Sequence, residues 1–509
     1  MLDVHNGDST KTDVFAGGYA LACNTFWNLI SYGAPTIVAV FTIPLLIAKL
    51  GMDRFGVLTL SWVVIGYFNL FDFGLGRALT KLVAEKIGAA GDLVVPSLVW
   101  TGLFLMLILG VFGTIVASLL SPWLVYTVLK IPNALRLETL QTFYLIAFSI
   151  PVVIFTTGLR GFLEAYQRFG LITMVSVPLG VFTFLGPLLA LSFTHNLFII
   201  ITILILGRVF AGLAYLWLCF KTLPTLRHIA LDRTVVGRLL SFGGWITVTN
   251  IVGPLMVYLD RFLIGALLSI TAVVYYTTPY DIVTKLLIIP TSLTGVLFPA
   301  FSTALGIDKA RSTRLFFRGG KYIYLIMFPT ALFIIIFANE GLGLWLGHDF
   351  ARQSVRVLQW LAVGVFVNAL AHVPYSLVQA AGRADVTAKL HLVELPLYLT
   401  ALWWLIAQFG IEGVAMAWVA RVTFDTIVLF ILANRIANLG IIISGHLVFI
   451  LVMTMTTFIA GSLLNGLILK ASFSGIIIVS FALLTWQRIL SPDERTLLRN
   501  PRKLFSTNR

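Results

Sequence analysis

The sequence predicts an all-α polytopic membrane protein, and three observations carry that reading. Hydrophobic residues make up 59% of the chain and charged residues only 11%, a balance that belongs to membrane spans and not to a soluble core. Fourteen apolar stretches run between residues 20 and 487. Each approaches the ~20 residues that a helix rising 1.5 Å per residue needs to cross a hydrocarbon core of about 30 Å. The short segments between them alternate in charge, as the two faces of a membrane require.

Helices are expected at 20–48, 55–74, 94–118, 138–160, 170–193, 196–220, 239–266, 271–304, 318–338, 353–381, 389–408, 412–434, 440–462 and 465–487. The first contains Trp27 and the break Gly33-Ala34-Pro35. The second ends in the corner Phe71-Asp72-Phe73-Gly74-Leu75-Gly76-Arg77, where two glycines interrupt the helix. The connection 119–137 is itself apolar, so it is expected as an interfacial segment and not as a folded domain. The fourth helix ends at Gln167-Arg168 and the sixth carries Arg208. The seventh contains Trp245 followed by Gly253-Pro254, and the eighth places Asp281 four residues before Lys285. Segment 308–321 puts Arg311, Arg314 and Arg318 on one stripe of a short helix ahead of the ninth span. The tenth ends at Gly382-Arg383, and the twelfth holds Arg421 and Asp425, again at i,i+4.

Orientation follows from the basic residues. With the N-terminus inside, 24 of the 35 Lys and Arg fall in inner segments, 6 in outer segments and the other 5 within spans. Such an asymmetry places both termini on the cytoplasmic face. The net charge of +14 then reflects insertion and attraction to anionic lipids of the inner leaflet; no nucleic-acid partner is needed to account for it. The first residues show no small-residue cleavage site, so the first helix is expected to target the chain. Cys23 and Cys219 both fall inside spans, where core packing is the expected role.

The loops are too short for a catalytic or nucleotide-binding domain. No GxxxxGK[ST], HExxH or GxSxG motif and no Cys/His cluster occurs, which argues against an enzyme, a cofactor and a metal centre. Two halves are visible. Pro35 corresponds to Pro254, and Arg168 to Arg383, at similar offsets. An even number of helices per copy makes them parallel repeats. The expected organisation is a cytoplasmic tail 1–19, a six-helix lobe 20–220, a basic linker 221–238, a six-helix lobe 239–434, two further helices within 435–487 and a basic tail 488–509. Paired mid-span prolines point to a central cavity or its gates, so Pro35 and Pro254 are gate candidates. The Asp72, Gly74, Gly76 and Arg77 corner is a hinge or gate candidate.

The run from Asn24 to Glu85 resembles the N-terminal part of bacterial polysaccharide-biosynthesis flippases. The similar pieces are Ile43-Pro44-Leu45-Leu46, Leu50-Gly51 with Arg54-Phe55-Gly56, and Phe71-Asp72-Phe73-Gly74-Leu75-Gly76. Ser241-Phe242-Gly243-Gly244-Trp245 and Leu259-Asp260-Arg261-Phe262 extend the resemblance, which covers most of residues 20–435. It implies a member of the multidrug/oligosaccharidyl-lipid/polysaccharide exporter superfamily: two lobes around a cavity, alternating access, and a polyprenyl-diphosphate-linked oligosaccharide as cargo. It also implies residence in the bacterial inner membrane, within O-antigen or lipopolysaccharide biosynthesis. A polysaccharide polymerase and chain-length machinery in the same membrane would then be the protein partners. A multidrug or metabolite antiporter of the same fold is the second reading, and an integral-membrane polymerase or ligase the third.

Charges within spans are the candidate working parts, because a base at the bilayer centre costs about 2.5–3.5 kcal/mol on insertion scales and so faces a cavity or a partner. Arg208 has no acid within helical reach. Asp260 and Arg261 are adjacent and point about 100° apart, so one of them should face the cavity. Asp281–Lys285 and Arg421–Asp425 could each form an internal pair. Arginine forks suit a diphosphate, which makes Arg208, Arg261 and Lys285 candidates for substrate binding. Trp27 and Trp245 could stack on sugar faces. His372 and His391, the latter three residues before Glu394, could relay protons or simply pack.

Overall fold

Within a bilayer the backbone must satisfy its own hydrogen bonds, which leaves helices as the simplest solution for a single chain of this composition. The computed structural model describes residues 33–67, 74–89, 95–237, 255–256, 258–305, 308–439 and 445–499. Every regular element among them is a helix, as expected for an all-α membrane protein. Ten of these helices are long and apolar enough to cross a membrane. Fourteen is not reached by that measure. Met52–Tyr67 has only 16 residues, most of 239–266 lies outside the described residues, and Phe449–Leu463 is a shorter apolar helix. The segment Asp385–Ala437 counts once, although Gly410 interrupts it.

The chain divides into two compact units, residues 1–277 and 278–509. The first contains α1 (Gly33–Leu50), α2 (Met52–Tyr67), α3 (Leu75–Ala89), α4 (Val95–Trp123), α5 (Arg136–Ala165), α6 (Phe169–Ala190) and α7 (Leu197–Thr222). A further helix, α8, covers 258–267. Helix α5 is the centre of this unit, packing against α2, α3, α4, α6 and α7. Small residues make the close crossings possible, as helix association in lipid requires. A Cβ on Gly110 of α4 would lie 2.7 Å from Pro151 Cα of α5. At the same contact Thr114 Oγ1 donates to the Ala147 carbonyl of α5 at 2.9 Å. Helix α4 continues past the expected end at 118 to Trp123 and closes with a π turn over Leu124–Val128. The first part of the apolar connection therefore extends the helix as far as Val128. Lys130 anchors its end by donating from its backbone N–H to the Gly265 carbonyl at 2.9 Å.

The division between the units falls within α9 (Ile270–Val283). The second unit holds α10 (Ile288–Ala304), α11 (Lys309–Ile336), α12 (Ala338–Leu346), α13 (His348–Ala380), α14 (Ala384–Ala437), α15 (Gly445–Leu463), α16 (Leu467–Leu484) and α17 (Pro492–Arg499). Here α13 is central, packing on α10, α11, α12 and α14. Gly410 has φ 56° and ψ −134°, a conformation open to glycine and costly for other residues. It splits α14 into two arms. The stripe expected on a separate short helix is instead the first turns of α11, which runs unbroken from Lys309 and is capped by the Asp308 carboxylate accepting from the Arg311 N–H at 2.8 Å.

The two last spans are docked onto the second unit by aromatic contacts. Phe328 of α11 stacks on Phe458 of α15 at 5.7 Å and packs on Phe481 of α16 at 4.8 Å. Phe366 of α13 meets Phe458 edge-to-face. Rings at these separations add to simple burial.

A local turn repeats between the units. At the end of α5 the Arg168 N–H donates to the Leu163 carbonyl and the Gln167 N–H to Glu164; at the end of α13 Arg383 donates to Val378 and Gly382 to Gln379. Gln167 (φ 55°) and Gly382 (φ 73°) occupy the same left-handed position. This is the 6→1 closure of a helix end, found twice at matching offsets.

Candidate functional site

A buried polar centre lies in the first unit on α8. Asp260 and Arg261 are 0% and 2% exposed. The Asp260 carboxylate accepts from the Tyr276 hydroxyl at 2.7 Å and from the Arg261 backbone N–H at 2.7 Å. The Arg261 guanidinium lies over the Tyr258 ring at 5.0 Å, a cation–π contact that strengthens away from water. Both members of the adjacent pair are packed inside the unit. Sequence adjacency alone leads instead to the expectation that one of them faces open space.

Arg208 sits on α7, half-buried. No carboxylate among the described residues pairs with it. Lys285 falls in the 3₁₀ turn Thr284–Leu287 that joins α9 to α10, and its side chain is exposed. The tightening from α to 3₁₀ rotates it off the face of Asp281, and no ion pair between those two residues occurs among the described residues.

Of the glycine corner, residues 74–77 are described. Helix α3 starts at Leu75 behind Gly74, whose φ is +72°. The Gly76 carbonyl accepts from Thr80 Oγ1, which also donates to the Gly161 carbonyl of α5 at 3.1 Å. The corner is thus seated on α5, with Arg77 pointing outward. Pro35 packs on α6, where a Cβ on Gly180 would come within 2.6 Å of its ring. Trp27, Asp72, Trp245 and Pro254 lie outside the described residues, as does Cys23; Cys219 is buried in α7.

Three charged groupings go beyond what the sequence pattern gives. Glu138 of α5 pairs with Arg54 at 3.4 Å and accepts from the Leu197 N–H at 2.6 Å, capping the start of α7. Lys470 of α16 donates to both oxygens of Glu340 of α12, at 2.8 and 2.9 Å. The third grouping joins His391 and Glu394 of one α14 arm to Asp425 of the other, with ligand atoms within 4.8 Å of one another. Asp425 turns toward this cluster. No ion pair links it to Arg421, whose guanidinium lies over the Tyr398 ring at 5.5 Å.

At the start of α11, Arg311, Arg314 and Arg318 are all exposed. Lys321, three residues further on, bonds Glu494 of α17 at 2.6 Å. Burial pushes the Glu494 carboxyl up, but bonds from Lys321, Tyr322 and the Ser491 N–H outweigh it and bring it down to about 2.

Residues 21–305 match the family described as "Polysaccharide biosynthesis protein", more than half of the chain. The chain is 28% identical over 428 residues to the "Putative O-antigen transporter" of Shigella flexneri, covering 82% of this chain and 98% of the relative. It is 26% identical over 165 residues to the "Lipopolysaccharide biosynthesis protein WzxC" of Escherichia coli K12, covering 32% and 33%. Among solved structures, an inward-facing multidrug resistance MATE transporter of the MOP superfamily aligns with a TM-score of 0.69 at 16% identity, over 81% of this chain and 98% of that one. A MOP superfamily transporter from Pyrococcus furiosus aligns at 0.62 and 15% identity, over 83% and 96%. At that identity the two structures establish the fold alone.

Proposed function

Because the chain belongs to the polysaccharide biosynthesis protein family, we propose that it is a transporter that moves a polyprenyl-diphosphate-linked oligosaccharide across the bacterial inner membrane. The observation that carries this is the similarity, over nearly the whole length of the relative, to a putative O-antigen transporter. The chemistry of the spans agrees with such a cargo. A diphosphate brings about two negative charges, and guanidinium groups bind phosphate oxygens in charge-assisted bonds. Arg208 is the in-span arginine without a carboxylate partner among the described residues, so it is the first candidate for that contact. Arg261 and Lys285 are secondary candidates, and Trp27 and Trp245 are proposed to meet the sugars.

Two six-helix lobes, 20–220 and 239–434, would alternate in access, with Pro35, Pro254 and the Asp72–Arg77 corner as gates. Both termini would lie in the cytoplasm, supported by the 24-to-6 split of basic residues. Anionic lipids would meet the exposed Arg311, Arg314 and Arg318. A polymerase and its chain-length regulator would take over the product on the far side. The fold is shared with multidrug transporters, but family and relative both favour the lipid-linked sugar.

A deletion strain tests the reading. It should accumulate the lipid-linked oligosaccharide and lose surface glycan, and the wild-type chain should restore both. A deletion strain with normal surface glycan and no accumulated intermediate would refute it.

A further inference from the structure

The cluster between the two arms of α14 contains a charge problem that the transport reading does not use. Glu394 is 1% exposed, and among the described residues neither of its carboxylate oxygens has a hydrogen-bond partner. Asp425 Oδ1 is likewise buried without one. A carboxylate oxygen of Glu394 and one of Asp425 nevertheless lie within 4.8 Å of one another. Two carboxylates are acceptors only, so they bond to each other only when one of them carries a proton. Elsewhere in the second unit a deeply placed charge has its counter-charge, as Lys470 has Glu340.

Among the described residues, the charged and titratable groups facing the pair come from two helices. On α14 itself these are His391 and Arg421; from α13 comes His372, whose Nδ1 is 3.0 Å from the Asn368 carbonyl and whose ring interacts with Asp425. With neutral imidazoles, two carboxylates and one guanidinium leave a net charge of about minus one. Isolated charge in a dry interior is strongly penalised, so one unit of positive charge completes the site. A dication overshoots that balance beside Arg421. An alkali ion asks for several oxygen ligands, where this cluster offers an imidazole in the set. A proton satisfies both the charge and the geometry.

We propose that Glu394, Asp425 and His391 form a proton-binding site inside the second unit, in which one exchangeable proton is shared between the two carboxyl groups and ties together the two arms of α14. Glu394 and His391 lie before Gly410 and Asp425 after it. The proton therefore bridges a helix break. Its loss leaves two ionised carboxylates facing each other across the break and pushes the arms apart, while His391 offers the next position for the departing proton.

Infrared difference spectroscopy on the full chain in lipid tests the site without any transport substrate. The wild type should show a protonated-carboxyl C=O band at neutral pH that disappears at alkaline pH. Glu394→Gln and Asp425→Asn should each abolish it, because the one remaining carboxylate is then balanced by Arg421 and ionises. If a variant fails to accumulate, heavy-carbon labelling of glutamate and aspartate carboxyls in the wild type replaces it, and the band should shift with at least one label. A wild type without the band, a band that survives both substitutions or shifts with neither label, or a band removed by stoichiometric Co²⁺ or Na⁺ binding would overturn the proposal. Since no lipid-linked sugar is present, this result stands or falls separately from the transport reading.

Discussion

Replacing Glu494 by alanine should release α17 from α11. The Glu494 carboxylate accepts from Lys321 Nζ on both oxygens at 2.6 and 2.7 Å, from the Tyr322 hydroxyl, and from the Ser491 N–H at 2.8 Å. Ser491 Oγ in turn accepts from the Glu494 N–H at 3.3 Å. This is a reciprocal capping box, here joined to an ion pair. Holding the carboxyl near 2 instead of its ordinary 4.5 corresponds to about 3 kcal/mol at face value. Lys321 and Glu494 keep some contact with water, and screening reduces the usable part to about 1–2 kcal/mol. That is about a 5- to 30-fold change in the docked population. Because the folded carboxyl is depressed, the contribution is complete above about 4.5 and is lost as pH falls toward about 2. Amide hydrogen exchange of 492–499 is the assay. Exchange should quicken by that factor in Glu494→Ala, and in the wild type only under acid. Unchanged exchange in the variant, or undocking of the wild type between pH 8 and 6, would refute the reasoning.

Other expectations follow from single contacts. Lys470→Met should cost about 3–5 kcal/mol by leaving Glu340 without its buried partner, and Lys470→Met with Glu340→Leu should recover most of it; thermal unfolding in detergent measures both. Gly364→Ala should lower stability by about 1–3 kcal/mol, since its Cβ would overlap the Trp418 ring, whereas Gly320→Ala, which meets open space within α11, should raise it by up to about 1 kcal/mol in the same assay. Gln167→Gly should raise stability by about 1 kcal/mol, relieving a left-handed non-glycine residue. If the Arg311, Arg314 and Arg318 stripe gathers the diphosphate headgroup from the inner leaflet, substituting all three by glutamine should leave insertion intact and lower export at limiting substrate; unchanged export would assign the stripe to topology alone.

The fold class was legible because span length and charge alternation are properties of single segments. The interruption of α14 was visible too, as separate helices expected over 389–408 and 412–434. What the sequence did not reveal were partners. Lys470 and Glu340 are 130 residues apart, and Glu138 meets the start of α7 at a separation of 59. Helical spacing misled at Asp281 and Lys285, where the helix tightens to 3₁₀. At Arg421 and Asp425 it gave way to a contact between arms. His391 and Glu394 could be seen together at i+3; Asp425 joins them only because α14 folds back at Gly410.

The most direct test of the account is flipping in proteoliposomes. The purified chain is reconstituted with a labelled polyprenyl-diphosphate oligosaccharide, and the label reaching the opposite leaflet is followed over time. Wild type should speed its movement. Arg208→Ala should slow it by about 10- to 150-fold, the equivalent of one lost hydrogen bond to a charged group at about 1.5–3 kcal/mol. Arg208→Lys should restore it only in part. A wild-type protein that leaves the lipid-linked sugar in place while moving a cationic dye would contradict the central claim.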